Sequence, residues 1–168
     1  MVAEQNQSSQ RLIQGFDSQF FEIHTRAHNM VGLTPPNLLY SGVLKSQTVR
    51  LPSIGELLLR SAAAVERTFG GITANLWDDP FEWTLPEYLS TNERVNEYLE
   101  EVEATRQRAF ARFESDADLL KEVLIPAGTT CPLILLLTDT LVKAIDYQGR
   151  AMATLNFALS GQETELQL

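Results

Sequence analysis

Four long stretches of this chain repeat apolar residues at the spacing of one helix face, and this pattern constrains the fold more than any other feature. The repeats cover roughly residues 10–30, 53–71, 90–113 and 130–159. Apolar residues three and four positions apart line one side of an α-helix and are buried together. No stretch alternates convincingly at period two, and no Asn-Gly or Asp-Gly hairpin turn occurs. The sequence therefore predicts an all-α fold, an up-down four-helix bundle.

Capping signals predict where these helices begin and end. Ser53-Ile-Gly-Glu56 and Ser90-Thr-Asn-Glu93 both fit the capping box, in which a serine and a glutamate satisfy each other's backbone N–H groups. The second helix is expected to stop at Gly70-Gly71. Thr130-Cys131-Pro132 predicts the start of the last helix, and Ser160-Gly161 predicts its end. A shorter helix, 116–122, is expected after Ser115, and 37–52 is expected to be irregular.

Size and composition favour one domain with a single core. The chain has 168 residues, of which 44% are hydrophobic. We expect a bundle domain at 10–161, a flexible N-terminus at 1–9 and a C-terminal tail at 162–168. The beginning of the chain has neither a basic start nor an apolar run, and Cys131 is the only cysteine, which together favour a cytoplasmic protein.

The charge balance argues against nucleic acid as a partner. The net charge is −9, and only 13 of the residues are Lys or Arg. Phosphate backbones are bound by clusters of Lys and Arg, and none of the predicted helices carries such a cluster. No apolar run is long enough to cross a membrane, so we expect no membrane partner either.

The order and spacing of four segments resemble the DinB/YfiT-like family. These segments lie at 32–39, 53–61, 77–83 and 155–161. The resemblance covers most of the chain, from 33 to 161. It implies an up-down four-helix bundle with a long connection between helices two and three. It also implies a homodimer as a possible assembly.

The same resemblance implies a metal site whose ligands this chain has replaced. Members of the family commonly hold nickel or zinc with one histidine on the second helix and two histidines, four residues apart, on the last. Here the first position is Arg60, or Ser61 if the alignment slips by one, and the pair falls on Lys143 and Tyr147. A protonated lysine has no lone pair to offer a metal. We therefore expect no metal and no other cofactor at this site.

Two interpretations of Lys143 and Tyr147 stay open. They can be polar groups that hydrogen-bond each other or the nearby Asp139 and Asp146, as buried polar groups usually do. Alternatively, they can belong with Arg60 to a retained pocket for a small anion or thiol.

The two histidines and the cysteine each allow a second interpretation. His24 and His28 lie four residues apart on the first helix and can bind zinc, with Glu22 or an acid from a neighbouring helix as a third ligand, although exposed or capping histidines are the more common case. Cys131 sits at a predicted helix start, where a thiol can become reactive, but a packing role is favoured. Trp77, Phe81 and Trp83 either line a pocket mouth or cover one end of the bundle.

Two functions follow from these residues. The first is a metal-free, non-catalytic DinB-like bundle that binds a small molecule or a protein. The second is a thiol-dependent S-transferase in which Lys143, Tyr147 and Arg60 hold an anionic ligand and Tyr147 moves a proton. A metal-binding protein that uses His24 and His28 is a third, weaker hypothesis.

Overall fold

The computed structural model describes residues 10–41, 44–46, 49–78 and 86–165 of the chain, and the predicted flexible segment 1–9 lies outside them. Within these ranges four long helices are present: α1 (Arg11–Leu33), α2 (Ile54–Ala74), α3 (Asn92–Phe110) and α4 (Leu133–Glu165). They pack as a bundle around one apolar core, which confirms the predicted helical architecture. None of the described helices is both long and apolar enough to span a bilayer.

Two short antiparallel strand pairs accompany the helices in the described ranges. β1 (Leu44–Ser46) pairs with β2 (Val49–Arg50), and β3 (Glu122–Leu124) pairs with β4 (Thr130–Pro132). Short 3₁₀ helices cover Pro86–Leu89 and Asp116–Leu120. The sequence pattern did not predict either strand pair, because strands of two or three residues are too short to show an alternating period.

Contacts between the helices fix their directions. The Asn92 side chain at the start of α3 donates to the carbonyl oxygens of Val31 (2.9 Å) and Thr34 (2.8 Å) at the end of α1, so these helices are antiparallel. Ser61 of α2 donates to the carbonyl of Ala144, and Thr68 bonds Thr140, so α2 and α4 are antiparallel as well.

α2 and α3 instead run in the same direction. Tyr40 packs on Gly55 at the start of α2 and donates to the carbonyl of Leu89, just before α3. At the other end, Arg112 donates to the carbonyl of Thr73, at 3.2 Å. The order is therefore up-down-down-up rather than strictly alternating, and the connection 75–91 joins opposite ends of the bundle. It is not the longest connection, since 34–53 and 111–132 are longer.

The predicted start of α2 is confirmed, and that of α3 is wrong by one residue. The Ser53 hydroxyl accepts from the Glu56 N–H at 3.2 Å, and the Glu56 carboxylate accepts from the Ser53 N–H at 2.7 Å. In α3 the cap is Thr91 rather than Ser90, and its hydroxyl accepts from the N–H of Arg94 at 3.3 Å.

The predicted end of α2 at Gly70-Gly71 is also wrong, because both glycines lie inside the helix. α2 ends at Ala74 and is capped by Asn75, whose φ of 56° is left-handed and whose N–H bonds the carbonyl of Gly71. A Cβ on Gly71 would lie 2.3 Å from the Trp77 ring, so this glycine lets the chain fold back against its own helix.

The predicted limits of α4 differ from those in the structure at both ends. Thr130–Pro132 belongs to β4, so α4 begins at Leu133, and it continues through Ser160 and Gly161 to Glu165. The turn after Ser115 is the 3₁₀ helix Asp116–Leu120, and Glu122 already belongs to β3. Backbone pairing between β3 and β4 outweighs the helix-start signal of Pro132.

A buried ionic cluster joins α3 to α1. Arg106 is 3% exposed and Glu103 is 5% exposed. Two guanidinium nitrogens of Arg106 donate to the two carboxylate oxygens of Glu103, each at 2.7 Å, and a third contacts Asp17 of α1. Burial by itself would raise the pKa of Glu103, but the hydrogen bonds from Arg106 and Gln107 outweigh it, so the pKa of Glu103 is lowered.

Gly55→Ala is expected to destabilise the fold. The added Cβ would lie 2.5 Å from the Tyr40 ring and 2.9 Å from the backbone oxygen of Leu39, which cannot move independently. Such overpacking typically costs about 1–3 kcal/mol, measured as the free energy of unfolding in denaturant. Gly15→Ala is the matched control: nothing lies within 4 Å of its added Cβ, so stability should rise by up to about 1 kcal/mol. Equal effects of the two changes would contradict the close approach at Gly55.

Glu103→Gln is expected to lower the unfolding free energy by about 3 kcal/mol at neutral pH, because Arg106 would remain buried with its charge incompletely paired. Since folding lowers the pKa of Glu103, its contribution is present above the unfolded-state pKa and is lost as the pH falls through the folded-state pKa. The difference between wild type and variant should therefore shrink in acid.

Glu97→Gln provides the control for this prediction on the same helix. Glu97 pairs with Arg94 at 2.8 Å, but both side chains are more than 60% exposed. Its loss should cost less than about 1 kcal/mol. A cost for Glu103→Gln that is no larger than this would show that the buried cluster adds little to stability.

Candidate functional site

α2, α4 and the β3–β4 hairpin line a cavity with a volume of about 640 Å³. Its helical walls come from one side of α2, including Ala63 and Ala64, and one side of α4, including Leu136. Ile125 and Pro126, in the turn between β3 and β4, close a third side. Pockets of this volume are of the size that holds small organic ligands.

Two polar contacts set the register of α2 and α4 beside the cavity. Ser61 Oγ donates to the carbonyl of Ala144 at 3.1 Å, and the hydroxyls of Thr68 and Thr140 are 2.7 Å apart. Because the helices are antiparallel, residues near 60 on α2 lie level with those near 144 on α4. The small side chains at 63 and 64 then leave the open space between the two contacts.

Arg60, Lys143 and Tyr147 all line this cavity. They come from different helices, and the antiparallel register brings them to the same end of it. Arg60 and Lys143 are exposed to solvent and Tyr147 is half-buried, so all three are accessible to a molecule in the cavity. Three of the four residues named from the sequence therefore share one site.

Ser61 is not part of that site. Its side chain is 1% exposed and its hydroxyl is committed to the carbonyl of Ala144. Of the two positions considered for the second-helix residue, only Arg60 lines the large cavity. Ser61 instead fixes the packing of α2 on α4.

Neither Lys143 nor Arg60 forms an ion pair with any residue that the structure describes. The expected pairing of Lys143 or Tyr147 with Asp139 or Asp146 is not present. Asp146 lies 3.6 Å from Arg150 instead. In the described part of the chain, neither cation at this end of the cavity therefore has a carboxylate within ion-pair distance.

The opposite end of the cavity is formed by Arg67, Asp139 and Trp77. Arg67 Nε donates to the carbonyl of Trp77 at 2.7 Å, and the Trp77 indole N–H donates to the Asn75 side chain at 3.0 Å. These bonds hold the Trp77 ring as a wall of the cavity. Phe81 and Trp83, the other two aromatics of this connection, lie outside the described residues.

Thr68 and Thr140, both buried, line the cavity where α2 meets α4, and their hydroxyl protons are already committed. Thr140 Oγ1 also lies 2.8 Å from the carbonyl of Leu136, which can only accept. Thr140 therefore donates its proton there, and Thr68 donates to Thr140. This part of the wall offers a ligand no free hydroxyl donor.

The described lining contains no histidine, and its one thiol forms no hydrogen bond with an ionisable side chain of the described residues. Cys131 Sγ lies 3.5 Å from the carbonyl of Pro132, and the pairing of β3 with β4 places it on the cavity wall. Cys131 is thus on a strand at the cavity, not at a helix start packed in the core. Its place there, like that of Arg67, was not predicted, because it depends on contacts between distant segments.

His24 and His28 lie on α1, away from this cavity. Their rings are 6.2 Å apart, and His24 Nε2 is 3.5 Å from a carboxylate oxygen of Glu100. Glu22, the third ligand suggested on the same helix, is 3.5 Å from Arg26. Among the described residues no three His, Cys, Asp or Glu side chains are close enough to hold a metal ion.

Comparison with known proteins adds no relative: no family model, no curated protein and no solved structure matches this chain.

The assignment of the threonine protons predicts unequal effects of two substitutions. Thr140→Val removes the acceptor of Thr68 and should cost about 1–2 kcal/mol of unfolding free energy, because it leaves a buried donor unpaired. Thr68→Val should cost less, since Thr140 keeps its bond to Leu136. The double variant should cost less than the sum of the two, as expected for residues in one network. A larger cost for Thr68→Val would reverse the assignment.

Proposed function

We propose that this protein is a DinB-like four-helix bundle without a metal centre, and that it binds a small anionic molecule in the cavity between α2 and α4. The observation that carries the proposal is the placement of Arg60, Lys143 and Tyr147 on one cavity, with both cations free of ion pairs in the described chain. The DinB-like assignment rests on the sequence segments named above. A homodimer is proposed on the same basis alone.

The chemistry of the side chains supports the metal-free part of the proposal. The positions that correspond to the three histidine ligands carry two cations and a phenol. Ammonium and guanidinium groups have only donors, and their charge repels a metal cation. The same groups suit a carboxylate or another anion, which accepts their hydrogen bonds.

The surroundings of the cavity favour binding over catalysis. A nucleophile needs a base within hydrogen-bonding reach, and among the described residues the Cys131 thiol bonds only the Pro132 backbone carbonyl. The Tyr147 hydroxyl, which the S-transferase hypothesis needs as a proton carrier, has no hydrogen-bond partner among the described residues. The S-transferase would use the same anion site. Detection of thiol transfer by the protein would therefore support the S-transferase and contradict a purely binding function.

Lys143→Ala is expected to weaken binding of small organic acids. A screen of carboxylic acids and thiols by thermal unfolding should find compounds that raise the Tm of the wild type, because a ligand that binds only the folded state stabilises it. The rise should shrink strongly in Lys143→Ala and in Arg60→Ala. Each of these variants loses about 1–3 kcal/mol of binding if the bond is charge-assisted.

Arg108→Ala is the matched control, since it removes one positive charge from the exposed part of α3 and leaves the cavity intact. It should respond to the same acids as the wild type does. A Tm rise of equal size in all variants would show that the ligand binds outside this cavity. Stoichiometric zinc or nickel in protein purified without a histidine tag would contradict the metal-free proposal.

A further inference from the structure

The charges on the cavity limit the charge of its ligand. Three cations line it, Arg60, Arg67 and Lys143, together with two acids, Glu56 and Asp139. The described lining therefore carries a net charge of +1. One negative charge on the ligand balances it, whereas a dianion would leave an uncompensated charge in a chain whose net charge is already −9.

The cations are not evenly placed. Arg60 and Arg67 lie seven residues apart on α2, which is about 10 Å along the helix axis. Arg67 is tied to the Trp77 carbonyl and shares its end of the cavity with Asp139. At the other end, the Glu56 carboxylate is held by the N–H and hydroxyl of Ser53. By formal charge, Arg67 and Asp139 balance each other, whereas Arg60 and Lys143 outnumber Glu56, so the net positive charge of the lining lies at the Arg60 end.

Between these ends the cavity is apolar. Ala63 and Ala64 of α2 lie between Arg60 and Arg67, Leu136 lies one helix turn from Thr140 on α4, and Ile125 and Pro126 close the side. Thr68 and Thr140 offer no free donor there, because each hydroxyl proton is already bonded. A polar ligand body would lose its hydrogen bonds to water in this region without replacement, whereas an apolar body would gain from burial.

We infer that the ligand is an amphipathic monocarboxylate, with its carboxylate between Arg60 and Lys143 and its aromatic or aliphatic body along Ala63, Ala64 and Leu136 towards Trp77. The Tyr147 hydroxyl donates a hydrogen bond to the same carboxylate. This inference rests on the proposed function and adds to it the class of ligand. The guanidinium of Arg60 has the planar fork that matches a carboxylate.

Four probes of related shape test this inference on the wild-type protein: 2-naphthoate, acetate, 2-naphthyl phosphate and inorganic phosphate. Binding is measured by calorimetry at neutral pH. Acetate has the carboxylate without the aromatic rings, and 2-naphthyl phosphate has the rings together with a second negative charge. We expect 2-naphthoate to bind on the order of a hundredfold more tightly than acetate, because its rings bury apolar surface. It should bind about tenfold more tightly than naphthyl phosphate.

The location of the bound probe is read from the only cysteine of the chain, Cys131, which lines the cavity. Saturating 2-naphthoate should slow alkylation of this thiol by iodoacetamide at least tenfold. Ala64→Asp places a negative charge in the apolar section and should weaken naphthoate binding at least tenfold. Ala104→Asp makes the same change on the exposed side of α3 and should have no effect. Far-ultraviolet circular dichroism verifies that each variant folds, and the probe comparison requires no variant.

The outcomes separate this inference from the proposed function. If acetate binds as tightly as naphthoate, or if either phosphate binds more tightly, the ligand class is wrong and the anion site stands. If naphthoate binds without slowing the alkylation of Cys131, the assigned location is wrong. If none of the four probes binds, the proposed function fails together with the inference.

Discussion

The antiparallel packing of α2 against α4 is the interaction on which the rest of this structure depends. These two helices make the most extensive contact in the bundle, and their register is fixed by Ser61 bonded to Ala144 and by Thr68 bonded to Thr140. Buried hydroxyls tolerate few alternatives, because a shift of one helix turn would leave each without its partner. The same register brings Arg60 level with Lys143. The candidate site therefore exists because of the packing that stabilises the fold.

An acidic protein can still present a positive site, because the field that acts on a ligand is local. The net charge of the chain is −9, yet the described cavity lining carries one more cation than it does acids. Over about 8–10 Å at physiological salt, exposed charges are screened, so carboxylates on the far side of α3 have little influence here. The overall charge argues against a long polyanion such as nucleic acid. It does not argue against one small anion.

The sequence predicted the helices well because their signals are local. Ser53 and Glu56 form the capping box read from four residues, and the apolar faces of 10–30 and 90–113 became the buried sides of α1 and α3. Errors arose where distant segments compete with such signals. Gly70 and Gly71 are typical of a helix end, but here Gly70 packs beside Leu76 and Gly71 leaves room for Trp77 against the side of α2. Pro132 is typical of a helix start, but its backbone is paired with β3.

For the site, the sequence by itself determined that polar side chains interrupt the apolar faces at 60, 143 and 147, and that none of these three residues is a histidine. It could not determine that Ser61 turns into the helix interface, that Arg67 and Cys131 reach the same cavity, or that α2 and α3 run in the same direction. Helix periodicity spans three or four residues, so it can be recognised from neighbouring positions in the sequence. The register between two helices and the closure by a hairpin depend on contacts across more than 50 residues, and only the packed structure decides them.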